Sequence, residues 1–213
     1  MQALETFDAQ LTPDEKAFLA TLTSPARIQA FLDAIPYSTE PVYRCPLRVL
    51  RERKGHCFDG ALFAAAMLRR LGHPPLIVDM LPNERDDDHL LAVYRLEGHW
   101  GAVAKSNFTG LRYREPVYRS LRELVMSYFE AFFNTEAEKT LRAYTVPLNL
   151  EAFDQHNWMS SDEPLEAIAS RLDRVRRVPV ITPRMAAGLS PVDARSYQAG
   201  LLGADPAGLF RPE

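Results

Sequence analysis

Apolar positions recur three and four apart at Phe18, Leu19 and Leu22, and again at Ile28, Phe31, Leu32 and Ile35. This spacing predicts two short amphipathic helices. Each has a start signal: Thr12-Pro13-Asp14-Glu15 combines a cap, a proline in the first turn and a Glu three residues after the cap, and Ser24-Pro25 repeats the device. The run from Phe58 to Leu71 differs because it shows no polar face until Arg69 and Arg70. It predicts a helix buried on all sides, stopped by Gly72 as a C-cap and by His73-Pro74-Pro75. Leu76 to Leu81 then reads as a buried strand. His89 to Leu96 and Trp100 to Lys105 read as two more, joined by a turn at Glu97-Gly98-His99.

Between these blocks, Pro36 to Pro46 is expected to be an extended connection, and a short helix near Leu47 to Arg51 leads into Lys54-Gly55. Ser120-Leu121-Arg122-Glu123 is a capping box, and the apolar stripe Leu121, Leu124, Val125, Tyr128, Phe129, Phe132 and Phe133 predicts that the helix continues to Phe133. Such an aromatic stripe is core and carries no catalytic role. Tyr144 to Leu150 supplies a last strand. Pro164 to Arg176 reads as helical, Val178 to Ile181 as extended, and Ser190-Pro191-Val192-Asp193 as the start of another capped helix. The fold class expected is α+β, a buried central helix packed on a small antiparallel sheet. Residues 1–150 form the main domain and 151–213 a helical C-terminal extension packed on it or trailing it.

Composition narrows the function classes. With 46% hydrophobic and 25% charged residues over 213 positions, the chain is of ordinary globular make-up, neither disordered nor coiled coil. A net charge of −3, and a basic run no longer than Arg174-Val175-Arg176-Arg177, argue against a nucleic-acid surface. The start Met1 to Asp8 has neither a basic nor an apolar leader region, and no window reaches bilayer length, so a cytoplasmic protein without membrane partners is expected. In that compartment the two cysteines, Cys45 and Cys57, stay reduced. Cys45, beside Pro46, is expected to be structural.

Cys57 stands in Gly55-His56-Cys57-Phe58-Asp59, at the start of the apolar helix. Unpaired N–H groups and the positive end of a helix dipole favour a thiolate, which is the reactive form of cysteine. His89, opening a strand downstream, is placed to take the thiol proton and return it to a leaving group. The backbone N–H of Cys57 points to where the oxyanion of a tetrahedral intermediate would form. For a second donor, Tyr43 and Arg51 are the residues upstream. His56 is expected to line the pocket or to bond locally.

The ordered set Gly-x-Cys-x-Asp-x-Ala, the helix end Leu68-Arg69-Arg70-Leu71-Gly72-His73-Pro74, and a strand with His before a Gly-x-Trp turn resembles the transglutaminase-like superfamily of papain-type folds, over roughly Ser24 to Leu150. The resemblance implies a Cys-His-Asp/Asn site acting on a peptide, amide or ester, with acyl transfer to water or to an amine, and without cofactor or metal. The family's aspartate would fall at Ala104. Asn107, brought into line by a bulge, is therefore the expected third residue and Ser106 the next candidate. Asp86-Asp87-Asp88 reads either as a solvated acidic loop or as a charge cluster that raises the pKa of His89. His56, Cys57, Asp59 and His89 lack the paired spacing of a metal site. Two other functions compete with the hydrolase or acyltransferase: a binding or scaffold module that keeps the fold without catalysis, and an arylamine-acetyltransferase-like enzyme.

Overall fold

In the computed structural model, which describes residues 2–212, three short helices α1 (Gln2–Asp8), α2 (Pro13–Leu19) and α3 (Pro25–Ala34) precede α4 (Pro46–Glu52) and α5 (Cys57–Arg70). The caps form where the sequence puts them. Thr12 Oγ1 accepts the Glu15 N–H while the Glu15 carboxylate accepts the Thr12 N–H at 2.8 Å, and Ser24 Oγ accepts from Arg27. Helix α1 is not signalled by any cap or periodicity. It exists because Phe7, 1% exposed, enters the core and Asp8 pairs with Arg70 of α5.

Every residue of α5 from Phe58 to Leu68 is buried, as a helix without a polar face must be. Its end is a Schellman motif: Gly72 takes φ 91°, its N–H bonds the Arg69 carbonyl, and the His73 N–H bonds Leu68 at 3.0 Å. Arg69 and Arg70 leave the helix end sideways, Arg69 forking onto Asp154 at 2.6 and 2.7 Å.

The helix packs on an antiparallel sheet of strands β1 (Leu76–Pro82), β2 (His89–Leu96), β3 (His99–Val103), β4 (Arg114–Tyr118), β5 (Leu141–Thr145), β6 (Leu148–Asn149) and β7 (Arg177–Pro179). Their order is β4-β3-β2-β1-β5-β7, with β6 also paired to β1. The β2–β3 hairpin turns at Glu97 and Gly98, both in the left-handed region. Alternation along β2 sends Leu90, Ala92 and Tyr94 to the α5 side and Leu91 and Val93 to the opposite layer. Strand β4 is an edge the sequence reading passed over, and Pro116 is tolerated there because an edge strand has no partner on one side.

The far face of the sheet is covered by α6 (Leu121–Met126) and a short 3₁₀ turn, Phe129–Ala131, so the helix expected to reach Phe133 stops seven residues early. Ser127 ends it: its hydroxyl donates back to the Leu124 carbonyl at 2.6 Å, and the Arg114 guanidinium donates to the Ser127 hydroxyl and carbonyl. The aromatics of the stripe are nonetheless core, with Tyr128 and Phe132 buried in the second cluster. Residues past 150 share the main core. Trp158, Leu165, Ile168 and Leu172 pack in the cluster around α5, and β7 extends the sheet. The helix expected over Pro164 to Arg176 is α7 (Leu165–Leu172); α8 (Pro183–Ala187) and the Asp193-capped α9 (Ala194–Gly200) follow it. Among the described residues no helix is long and apolar enough to cross a membrane.

Candidate active site

The start of α5 is held by a buried polar knot rather than by a simple cap. Asp59 Oδ1 accepts the Arg44 N–H at 2.8 Å and Oδ2 accepts the His56 N–H at 3.2 Å, while His56 Nδ1 accepts from Phe58. The Arg44 side chain is fully buried and reaches Glu52 at 2.8 Å, Ser38 at 3.0 Å and Asp59 at 3.5 Å, and also pairs with Glu40. A buried guanidinium is tolerable only when its donors are met in this way. The Asp of the Gly-x-Cys-x-Asp motif is therefore structural: it ties α4, the 37–44 segment and the first turn of α5 into one unit that fixes Cys57.

Cys57 is the first residue of α5 and lines two adjoining cavities at one end of the sheet. The larger, about 470 Å³, is bounded by Tyr37, Tyr43, Asp79, Asp88, Leu90 and Leu172 among others. The smaller, about 50 Å³, brings Cys57 together with His89, Ser106 and Asn107. Tyr37 lines both cavities together with Cys57, and Leu90 lines the larger one with them. Burial, followed by the charges of Asp88 and Asp87, pushes the thiol well above its ordinary value. This direction is opposite to the thiolate expected at the helix start, and desolvation is its largest cause.

His89 belongs to the opposite set of β2 side chains from Leu90, so it meets the small cavity from the other side of the sheet end. Its Nε2 lies 2.7 Å from the Leu111 carbonyl. A carbonyl only accepts, so Nε2 carries the hydrogen and Nδ1 is the basic nitrogen. Burial holds the ring down at about 4, and of the charged groups Arg114 acts on it in the same direction. The acidic run does not raise His89 as the sequence suggested; Asp87 and Asp88 act on Cys57 instead.

The third position is also corrected. Asn107 gives its whole amide to the chain end: Nδ2 donates to the Asp205 carbonyl and Oδ1 accepts the Asp205 N–H, both at 2.8 Å. Ser106 Oγ accepts the Phe108 N–H at 3.0 Å. Neither is the group bonded to the His89 ring; that group is the Leu111 backbone. Arg51 is not in the site, since it pairs with Glu15 at 2.8 Å on the outside. Tyr43 lines the larger cavity and stacks on Phe58 at 4.4 Å. Cys45 is buried and pushed up to about 12, as a structural thiol is.

Two site residues escaped the sequence reading. Tyr37 lies in the Pro36 to Pro46 connection, where no motif singles it out. Asp79 had a usable signal, a lone acid inside the apolar strand Leu76-Ile77-Val78-Asp79-Met80-Leu81, which seldom occurs without a role. It is 4% exposed, lines the larger cavity, and its Oδ1 has no hydrogen-bond partner among the described residues. The segment Ala207 to Phe210 lines the same cavity, with Gly208 packed against the Tyr37 ring. Compared with known proteins, the chain matches no family model and no curated sequence.

Proposed function

We propose that this chain is a cysteine-dependent acyl-transfer enzyme of transglutaminase-like, papain-type kind, in which Cys57 attacks an amide or ester carbonyl and His89 moves the proton. The observation that carries the reading is the shared small cavity of Cys57 and His89, with the His89 tautomer fixed by the Leu111 carbonyl. That bond is what a Cys-His pair requires of its third member.

Both pKa directions favour neutral partners, a thiol and an imidazole, so the pair works by general-base catalysis rather than as a standing ion pair. As His89 Nδ1 closes on the sulfur and takes its proton, the sulfur bonds the carbonyl carbon and the carbonyl π pair moves to oxygen. This reading assigns the Cys57 N–H at the helix start and the Tyr37 hydroxyl as the donors to that oxygen. Collapse of the intermediate expels the amine or alkoxide, which takes the proton from Nδ1–H and leaves a thioester. Water or an amine then cleaves it.

The test is acylation by p-nitrophenyl acetate, followed by mass spectrometry of the intact chain and its peptides. One acetyl group on Cys57, abolished in Cys57→Ala and slowed at least tenfold in His89→Gln, is expected. An adduct whose rate ignores His89, or no adduct at all, overturns the reading. A second reading, a binding module without catalysis, is favoured by the raised thiol, and failure of acylation would select it.

A further inference from the structure

We propose that the Asp79 side of the larger cavity is a binding subsite for an alkylammonium group. Asp79 is an almost fully buried carboxyl on β1 whose Oδ1 is left without a partner, although its own backbone N–H is met by Thr145 Oγ1 at 3.0 Å. Leaving such a group unpaired is costly, and it faces a cavity of ligand size. Asp87, Asp88 and Asp173 line the same space, and among the described residues none of these four carboxyls forms an ion pair. Glu40, at the rim, is already matched by Arg44 and Lys54.

The chemistry of the walls selects the ligand. A neutral donor would satisfy Oδ1 but leave the surplus of negative charge in place; a cation answers both. No three His, Cys, Asp or Glu side chains converge to hold a metal ion among the described residues, which favours an organic cation. Tyr37 and Tyr43 add aromatic walls, a surface that suits a cation. Leu90 and Leu172 offer apolar surface to a methylene stem.

A proton accompanies the event. Asp79 is faced by Cys57 from α5, by Asp87 and Asp88 ahead of β2, by Asp173 after α7 and by Arg177 of β7, whose guanidinium donates to the Asp173 carbonyl at 3.4 Å. Desolvation, then Asp88, pushes Asp79 up to about 8, against the opposing pull of Arg177. An arriving ammonium ionises Asp79 and releases its proton, so affinity rises with pH up to that value.

The subsite stands on the cavity and does not require Cys57 to be a nucleophile. Isothermal titration of the full chain with n-butylammonium, and with 1-butanol as the neutral control, tests it. Binding of the cation at least about tenfold tighter than the alcohol is expected, lost in Asp79→Asn and reduced severalfold in Asp88→Asn, an exposed position that leaves the fold intact. Between about pH 6 and 8 the cation's affinity should rise and its apparent heat should vary with buffer ionisation enthalpy. Equal affinity for cation and alcohol, or unaltered cation binding in both variants, overturns the proposal. Cys57→Ala should keep the binding. Acetylation of Cys57 without ammonium binding would therefore refute the subsite alone, and ammonium binding without acetylation would refute acyl transfer alone.

Discussion

Replacing Asp79 by Asn removes a titrating proton from the core, and its effect on stability can be worked out in advance. In the unfolded chain this carboxyl has its ordinary value, 3.8, whereas in the folded protein it is pushed up to about 8. Between those values the native state holds one proton that the unfolded state has lost. Stability then falls as pH rises, by about 1.4 kcal/mol per pH unit. From about pH 5.5 to 7.5 the wild type should lose about 2 to 3 kcal/mol relative to Asp79→Asn, which has nothing to ionise at this site. Taking the difference between the two proteins cancels His89, whose depressed value has the opposite sign and costs stability as pH falls below 6.5 toward about 4. Urea unfolding followed by tryptophan fluorescence measures it, because Trp158 is fully buried. Wild-type and variant curves that stay parallel across this range would mean that Asp79 is ionised in the native state. The account of a buried acid awaiting a cation would then be wrong.

Arg44→Ala should destabilise the chain by about 3 to 5 kcal/mol, since it strands the buried Asp59 carboxylate, whereas a surface pair such as Arg51 with Glu15 should cost below about 1 kcal/mol when broken; thermal melts compare them. Alkylation of Cys57 by iodoacetamide should be slow at about pH 6 and climb above about pH 9, with Cys45 slower still, as peptide mapping would show; fast labelling at acidic pH would contradict the raised thiol. The acid limb of Cys57 acetylation attributable to His89 should lie near about 4 rather than 6.5, read from the rate in His89-competent protein against His89→Gln. Gly60→Ala should misplace the α5 start, because its new Cβ would lie 2.2 Å from Lys105 Cβ, and a lowered melting temperature reports it.

The sequence carried the framework wherever one local rule decides the outcome. A helix without a polar face had to be central, and α5 is. Thr12 and Ser24 caps and the Glu97-Gly98 turn needed only their neighbours in the chain. Rules failed where a distant group intervened: Ser127 and Arg114 cut α6 short, and Phe7 made α1 by burial rather than by pattern. The site was legible to the extent that side chains write it. Cys57 and His89, the residues named from the sequence, line one small cavity, but the group bonded to His89 is a backbone carbonyl, identical at every position, and no residue type marks Leu111 for it. Asn107 had the right chemistry for that place and was drawn away by Asp205, a partner 98 residues later in the chain. The thiol was misjudged for a related reason: the helix start is visible in the sequence, while the charges that oppose it arrive from β1 and from the turn before β2 only after folding.

The two hydrogen bonds between Asn107 and Asp205 also join distant parts of the chain. They anchor the chain just ahead of the Ala207 to Phe210 segment, which forms part of the wall of the larger cavity, so loosening them in Asn107→Ala should alter that wall and leave the β1 and α5 walls in place. One wall of the cavity thus depends on a contact that spans 98 residues of chain and lies outside both the sheet and α5.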